Sequence, residues 1–515
     1  MSPPAECDIL IIGSGNAGFS AAISAAQTSQ YDNQKPRILL IDKCPPEWAG
    51  GNSYFTAGAF RTVHSGLPDL LPLVNNVNPE TASKIDMAPY TTADFTTDLH
   101  RMTSGRTDPA LSKTLINDSN EVVKWLAENG VRFQLSFNRQ AYEVNGRIQF
   151  WGGMALKTED GGKGLVLDHM RKANELGVDV LFSTPATRLV TSSAGDVTAV
   201  MVFHEGEERE IRTKAVILAA GGFESNPRLR AQFLGPHWDM ALVRGTPYNT
   251  GDVLEIAVRD VSAKQVGNWS GCHCVAWDAN APADAGDREV SNEFTKSGYP
   301  LGIMVNRSGE RFVDEGKDMR NYTYAMVGRE ILKQSGHVAF QIWDSRTISW
   351  LRGEEYRPEV VERITAESIE ELADECAKHG LENKEQFVST ISEFNQAVSS
   401  NETGNWNPAI KDGLSTAGLA TPKSNWALPI DKPPFLAVKV SAGITFTFGG
   451  LGVNPETAAV VSARTGRDVP GLYCVGEMLG GLFYDNYPGG SGLMSGAVFG
   501  RRAGRDAARF ASGME

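Results

Sequence analysis

No run of about 18 consecutive apolar residues occurs in this chain of 515, so no segment reads as a membrane-spanning helix. Basic residues are nowhere clustered. The balance of 49 Lys and Arg against 62 Asp and Glu gives a net charge of −13, which argues against nucleic acid as a partner. An anionic small molecule would have to be met by local cations or helix N-termini, because the overall field repels it. Cysteine is scarce, with six residues scattered along the chain. Cys272 and Cys274 stand too close for a usual zinc pair and no second pair follows, so free thiols in a reducing compartment and no metal site are expected. Neither Cys-x-x-Cys-His nor an iron–sulfur spacing is present, so electrons are expected to leave through a separate acceptor rather than a heme or cluster of this chain. Residues 1–6 carry no basic stretch and no apolar h-region, and the C-terminal residues spell no sorting address; a cytoplasmic location is the expectation.

Glycine, by contrast, is abundant, with 53 residues gathered in discrete motifs. The first is residues 8–18, Asp-Ile-Leu-Ile-Ile-Gly-Ser-Gly-Asn-Ala-Gly. An apolar strand runs into Gly13-x-Gly15-x-x-Gly18, a helix-like run follows over 19–27, and a second apolar strand over 37–41 ends in Asp42. Gly13 permits the tight turn, Gly15 admits a pyrophosphate to the backbone, and Gly18 lets helix and strand pack. The helix N-terminus offers oriented N–H groups, and Asp42 is placed for a ribose hydroxyl. Gly13, Gly15, Asn16, Ala17, Gly18, Asp42 and the adjacent Lys43 are the expected contacts of a dinucleotide; the motif alone leaves NAD, NADP and FAD open.

Four further segments read as parts of the same domain. Residues 178–190 read as strand, turn, strand; 197–212 alternate as an antiparallel pair; 214–223 form a buried parallel strand ending in Gly-Gly; and 470–477 form another buried strand ending at Gly476-Glu477. A helix is expected from about Ser491 to Phe510. The nucleotide domain is thus assembled from both ends of the chain, as 1–267 and 441–515, around an inserted α+β domain over 268–440 that would cap the site. Within the insert, 368–399 reads as a helical stretch with Ser368 and Glu371 as a capping box, and 401–427 reads as a polar surface loop. The fold class is α/β, with two domains and a Rossmann-like cofactor domain.

Gly476-Glu477 in a late completing segment favours FAD, and here the chain resembles a family. The loop Ala49-Gly-Gly-Asn-Ser-Tyr-Phe-Thr-Ala-Gly58, together with Ala219-Ala-Gly-Gly-Phe223, Gly309-Glu-Arg-Phe-Val-Asp-Glu315 and Gly476-Glu-Met-Leu-Gly-Gly481, resembles the flavoproteins of the fumarate reductase/succinate dehydrogenase superfamily. Residues 309–324 and 483–492 are most similar to its tricarballylate dehydrogenases. The resemblance spans about residues 7–507. It implies that FAD contacts extend to Gly50, Gly51, Asn52, Ser53, Ala57, Gly58, Ala186, Ala220, Gly221, Gly222, Gly251, Asp252, Glu477, Gly490, Ser491, Gly492 and Leu493. Ser53 rather than His follows Asn52, so the FAD is expected to be non-covalent.

The resemblance also implies hydride transfer between flavin and a substrate carbon, with a proton moving at the neighbouring carbon. It places Arg320 as the candidate for that proton, with one residue inserted after Arg311-Phe312 and with Asp314, Glu315 and Asp318 nearby in sequence. Arg is equally suited to gripping a carboxylate. His273 falls where the family has a substrate-contacting His. Three departures matter more. Residues 444–448 hold no His before Gly449-Gly450, Phe294-Thr295 replaces the family's Thr-Glu pair, and Tyr487 stands where a carboxylate-clamping Arg is usual. The Tyr487-Pro-Gly-Gly490 loop resembles that of 3-ketosteroid dehydrogenases, in which a Tyr and a backbone N–H hold a ketone oxygen; Gly490 or Ser491 would supply that N–H. Arg61, Arg101 and Arg106 could add positive field, although solvated positions suit each, and Tyr322 and Tyr324 alternate as on a strand. The leading expectation is a dehydrogenase forming C=C beside a carboxylate or carbonyl of a tricarballylate-like small molecule. Alternatives are an ene-reductase running the same site backwards, an oxidation of a larger ketosteroid-like carbonyl compound, or a flavoprotein retained as an assembly module.

Overall fold

In the computed structural model, residues 3–28, 35–398, 406–408 and 410–513 are described. The chain divides into two compact units. The first comprises 1–229, 245–272 and 446–515; the second comprises 230–244 and 273–445. Among the described residues no helix is long and apolar enough to cross a membrane.

The first unit is built on a six-stranded sheet in the order Ala459–Val461, Asp468–Cys474, Ala215–Leu218, Ile9–Ile12, Ile38–Ile41, Asp179–Leu181. Ile9–Ile12 lies at its centre. Leu10 pairs in parallel with both Leu39 and Val216, and Val216 pairs in turn with Leu472. Ile9–Ile12, Ile38–Ile41 and Ala215–Leu218 are runs of Ile, Leu, Val and Ala buried at every position, which is why they read as continuous apolar blocks rather than alternating ones. The late strand Asp468–Cys474 completes a sheet begun by the early ones. The helix Ser491–Ala511 closes the same structure by packing on Asn16–Thr28. That packing depends on small residues: a Cβ on Gly500 would lie 2.6 Å from the Ala17 carbonyl oxygen, and one on Gly504 would lie 2.2 Å from that of Ala21. The antiparallel three-stranded sheet Ala186–Thr191, Val197–His204, Glu207–Arg212 is a separate layer of this unit.

The second unit is centred on Ile303–Asn306, Ala339–Trp343 and the part of Phe435–Leu451 that belongs to it, with Ile364–Ala366 pairing alongside. Ile303, Phe340, Leu372, Phe387, Ile391 and Phe394 form one apolar cluster. The sequence boundaries require correction here. Residues 230–244 leave the first unit because Leu242 and Val243 pair in parallel with Gly443 and Ile444. The crossings fall at 272/273 and 445/446, inside the long strands Gln265–Asp278 and Phe435–Leu451.

Three local expectations also change. The helical stretch over 368–399 is two helices, Ile369–Lys378 and Lys384–Val398, because Gly380 adopts φ +104° and Asn383 Oδ1 accepts from Gln386 N at 3.0 Å to start the second; Ser399 lies outside the described residues. Ser368 Oγ caps the first by accepting from Glu371 N, but the Glu371 carboxylate accepts from Glu367 N instead of closing a box. The polar stretch 401–427 is not all surface: residues 401–405 and 409 lie outside the described residues, whereas Lys423, Trp426 and Ala427 are buried. Tyr322 and Tyr324 lie on the helix Arg320–Leu332, not on a strand.

Candidate active site

In the first unit the Gly13–Gly18 turn separates its three glycines by role. A Cβ on Gly13 would sit 2.2 Å from the Ala219 carbonyl oxygen, and one on Gly18 would sit 2.0 Å from that of Gly13; both are demanded by packing of the protein on itself. A Cβ on Gly15 would meet nothing closer than Ser53 Oγ at 3.5 Å and Gly50 O at 3.7 Å, at an ordinary negative φ. The protein therefore does not itself require glycine there, and the open space beside the backbone is what an approaching pyrophosphate needs. The N–H groups of Gly15, Ala17 and Gly18 find no acceptor among the described residues, and they open the 13-residue helix Asn16–Thr28. The Asp42 carboxylate accepts from Ser14 N at 2.8 Å, Ser14 Oγ at 2.7 Å and Cys44 N at 2.9 Å, which fixes its direction. Lys43 pairs with Asp252 and Thr250, which brings the expected Gly251–Asp252 contact to the same region.

Asn16 ties three elements together. Its N–H donates to Ser53 Oγ at 3.0 Å, its amide nitrogen donates to Leu493 O at 2.8 Å, and its amide oxygen lies 3.0 Å from His169 Nε2. Gly50 and Ser53 thus stand against the first glycine turn and Leu493 against the first helix. His169 is fully buried, which pushes its imidazole down to about 3 and keeps it neutral. Asn52, expected among the FAD contacts, is tied into the protein. Its amide oxygen accepts from Thr246 N at 2.9 Å and its amide nitrogen donates to Glu224, so it holds the protein to itself. Ala57 and Gly58 follow the short helix Gly51–Tyr54, where Gly58 O accepts from Thr158 N at 2.9 Å. Ala186 begins the three-stranded sheet.

Sequence reasoning passed over a buried acid. Glu224 is fully buried just beyond Ala220-Gly221-Gly222. It accepts from Asn52 and, at 2.6 Å, from Asn249, and it shares a hydrogen bond with the half-buried Glu477. Glu477 also accepts from Thr447 N at 2.8 Å and Thr447 Oγ1 at 3.0 Å. Burial raises the affinity of both carboxyls for protons, Glu224 to about 7, and each charge opposes the other. A Cβ on Gly222 would collide with Glu477 Oε1 at 2.1 Å, so the Gly-Gly turn exists partly to admit this pair. The only sequence signal was an acid directly after Gly-Gly-Phe.

The late loop, in the same unit, carries the second group of expected site residues. Tyr487 is half-buried against Phe446 and Phe483, with ring centroids 5.4 and 5.5 Å away. Its N–H is held by Asn486 Oδ1 at 2.9 Å. Ser491 N–H is committed to Pro488 O at 3.0 Å, which removes one of the two expected partners of Tyr487. Gly490 N–H has no acceptor among the described residues, nor do the N–H groups of Gly492 and Leu493 at the start of Ser491–Ala511. Gly490 adopts φ +83°, a conformation that favours glycine. Arg61 is buried rather than solvated, and bound to Asp98. Arg106 pairs with Asp485, and Arg101 is exposed.

In the second unit, Arg320 begins its helix, half-exposed, and makes no ion pair among the described residues. The carboxylates expected beside it are committed elsewhere: Glu315 to Arg311 and Met304 N, Asp314 to Ser424, and Asp318 to Met319 N and Lys411. His273 is buried with its ring edge-on to Tyr324 at 6.2 Å between centroids.

Residues 8–493 match the model of a family described as an FAD binding domain. A probable fumarate reductase of Shewanella frigidimarina is 26% identical over 521 residues, covering 99% of this chain and 76% of that protein. A 4-oxocyclohex-2-ene-1-carboxylate 5-dehydrogenase of Sinomonas cyclohexanicum is 28% identical over 375 residues, covering 69% and 61%. A flavocytochrome c3 fumarate reductase in its open conformation shares the fold, with a TM-score of 0.73 at 23% identity over 99% of this chain and 79% of that one.

Proposed function

Since the chain belongs to the family of FAD-binding-domain proteins and is an FAD-dependent oxidoreductase acting on CH–CH groups, we propose that it acts at the carbon–carbon bond next to a carbonyl whose oxygen is held by Tyr487. The observation that carries this reading is the half-buried Tyr487 phenol in the same loop as the unclaimed Gly490 N–H. Two donors aimed at one oxygen stabilise the charge that develops there as the adjacent C–H is deprotonated. The Sinomonas relative, named as a dehydrogenase of a ring ketone, supports a carbonyl in this role.

Bound FAD supplies the centre that exchanges hydride with the substrate carbon. The open space at Gly15 and the N–H groups of Gly15, Ala17 and Gly18 would take the pyrophosphate, and Asp42 a ribose hydroxyl. Glu477, Gly492 and Leu493 would serve the flavin half. Tyr487 and Gly490 orient the substrate and hold its oxygen. We assign Arg320 and His273 to substrate binding.

Anaerobic addition of saturated cyclic ketones or keto acids should bleach the oxidised flavin, and enones should reoxidise the dithionite-reduced enzyme. If neither set changes the flavin spectrum, the carbonyl reading is wrong. A tricarballylate-like polycarboxylate is the second reading, favoured by Arg320, which makes no ion pair among the described residues, and by the likeness of residues 309–324 and 483–492 to tricarballylate dehydrogenases. Bleaching by tricarballylate but by no ketone would select it.

A further inference from the structure

The buried cation Arg61 is bound to the backbone of the Tyr487 loop at two points. Its N–H donates to Gly490 O at 3.2 Å, and its guanidinium Nε donates to Gly489 O at 2.9 Å. The other end of the guanidinium is anchored: Nη1 donates to Tyr90 Oη at 2.7 Å and to Asp98 Oδ2 at 2.6 Å, and Tyr90 Oη donates to Asp98 Oδ2 at 2.7 Å. The Tyr90 and Phe95 rings lie 5.5 and 5.9 Å from its Cζ. The side chain is therefore held at both ends, and among the described residues Asp98 is the carboxylate that pairs with it.

Gly489 C=O and Gly490 N–H are opposite ends of one planar trans peptide group, so fixing the carbonyl fixes where the N–H points. The Gly490 N–H, in the same loop as Tyr487, finds no acceptor among the described residues. A charge-assisted bond to the carbonyl also draws electron density along the amide and strengthens the N–H as a donor. There is no room to reach this geometry with another residue. A Cβ on Gly490 would lie 2.8 Å from Arg61 N and 3.0 Å from Phe60 C.

Resting on the reading that Tyr487 and Gly490 hold a carbonyl oxygen, we infer that Arg61 is a positioning residue that orients and polarises the Gly490 N–H through the Gly489–Gly490 peptide, with Asp98 setting how much of its charge reaches that peptide. The ligand class that should feel this is an oxyanion: an enolate or its mimic, a phenolate.

The probe is 4-nitrophenol bound to the FAD-loaded enzyme, whose phenolate colour reports both its affinity and its pKa in the site. Arg61→Met should weaken phenolate binding about 10- to 100-fold, the range for losing a hydrogen bond to a charged group, and should raise the bound phenol's pKa. Arg61→Lys should recover part of the loss. Asp98→Asn should lower the bound pKa, because it releases the Arg61 charge. Damage to the loop alone would shift both variants the same way, so opposite signs separate polarisation from support. This second variant also keeps the test open if Arg61→Met does not fold. The inference is overturned if Tyr487→Phe weakens phenolate binding while Arg61→Met does not, or if Arg61→Met and Asp98→Asn move the bound pKa in the same direction. If Tyr487→Phe binds the phenolate as the parent does, the carbonyl reading itself has failed.

Discussion

Glu224 and Glu477 share a hydrogen bond carboxyl to carboxyl behind Gly222, although 252 residues separate them in the chain. Two carboxylates at that distance cannot both be ionised cheaply, so one proton is retained where isolated glutamates would have lost theirs. An unfolded glutamate releases its proton near 4.5, whereas in the folded chain Glu224 is held up to about 7 and Glu477 is pushed up well beyond the ordinary range. The folded state thus binds more protons in that window. Its contribution to stability is complete below the unfolded value and is lost as pH rises through the folded one.

Glu224→Gln, which keeps an acceptor for Asn52 and Asn249 and fixes a donor towards Glu477, should flatten the dependence of melting temperature on pH between about 5 and 7. It should stabilise the FAD-free protein above pH 7 by about 2 kcal/mol. Thermal melts across that range decide it. A parent protein with no decline there would show that the pair does not hold its proton.

The glycine turn separates ligand from packing. Gly15→Ala should leave the fold intact, because a Cβ there touches nothing closer than 3.5 Å, and should weaken FAD binding at least tenfold. Gly18→Ala, at 2.0 Å from the Gly13 oxygen, should instead lower folded yield. Fluorescence titration of FAD against each refolded protein, with melting curves alongside, distinguishes the two.

Tyr487→Phe should slow flavin reduction by substrate by about 10²- to 10³-fold, the usual cost of one oxyanion donor, with FAD affinity unchanged. Stopped-flow reduction under anaerobic conditions measures it. An unaltered rate would leave the phenol as an aromatic wedge against Phe446 and Phe483.

Arg320→Ala should raise KM for any substrate carrying a carboxylate by about 10-fold or more and leave a neutral ketone unaffected, since the guanidinium makes no ion pair among the described residues. Steady-state comparison of a keto acid with its ester tests this. Equal losses on both would point to a structural role for Arg320.

The two-ended cofactor unit was legible because its signals are local. Ile9–Ile12, Ala215–Leu218 and the end of Asp468–Cys474 are buried apolar segments each followed within three residues by a glycine, and the fingerprint needs only neighbouring residues. What the sequence hid depends on partners far along the chain. Glu224 carries no signal of its own until Glu477 is brought to it. Arg61 reads as a surface cation until Asp98, 37 positions later, neutralises it. Tyr322 and Tyr324 alternate as in a strand, yet the segment is helical from Arg320 because its neighbours Ala325, Val327 and Ile331 bury into the second unit's own core. Residues 230–244 carry no compositional break, and contacts distant in sequence, such as the pairing of Leu242 with Gly443, assign them.

The packing of Ser491–Ala511 on Asn16–Thr28, with Leu472 hydrogen-bonded alongside Val216, has a consequence for synthesis. On the ribosome, the central strand Ile9–Ile12 emerges long before the strand and helix that complete its sheet. The nascent chain carries an unfinished, apolar sheet edge through most of its translation and is exposed to misassociation for that whole interval. Loss of as little as the final helix would leave the first one without its glycine-lined partner, and a prematurely terminated chain should accumulate as insoluble material rather than as a shortened enzyme.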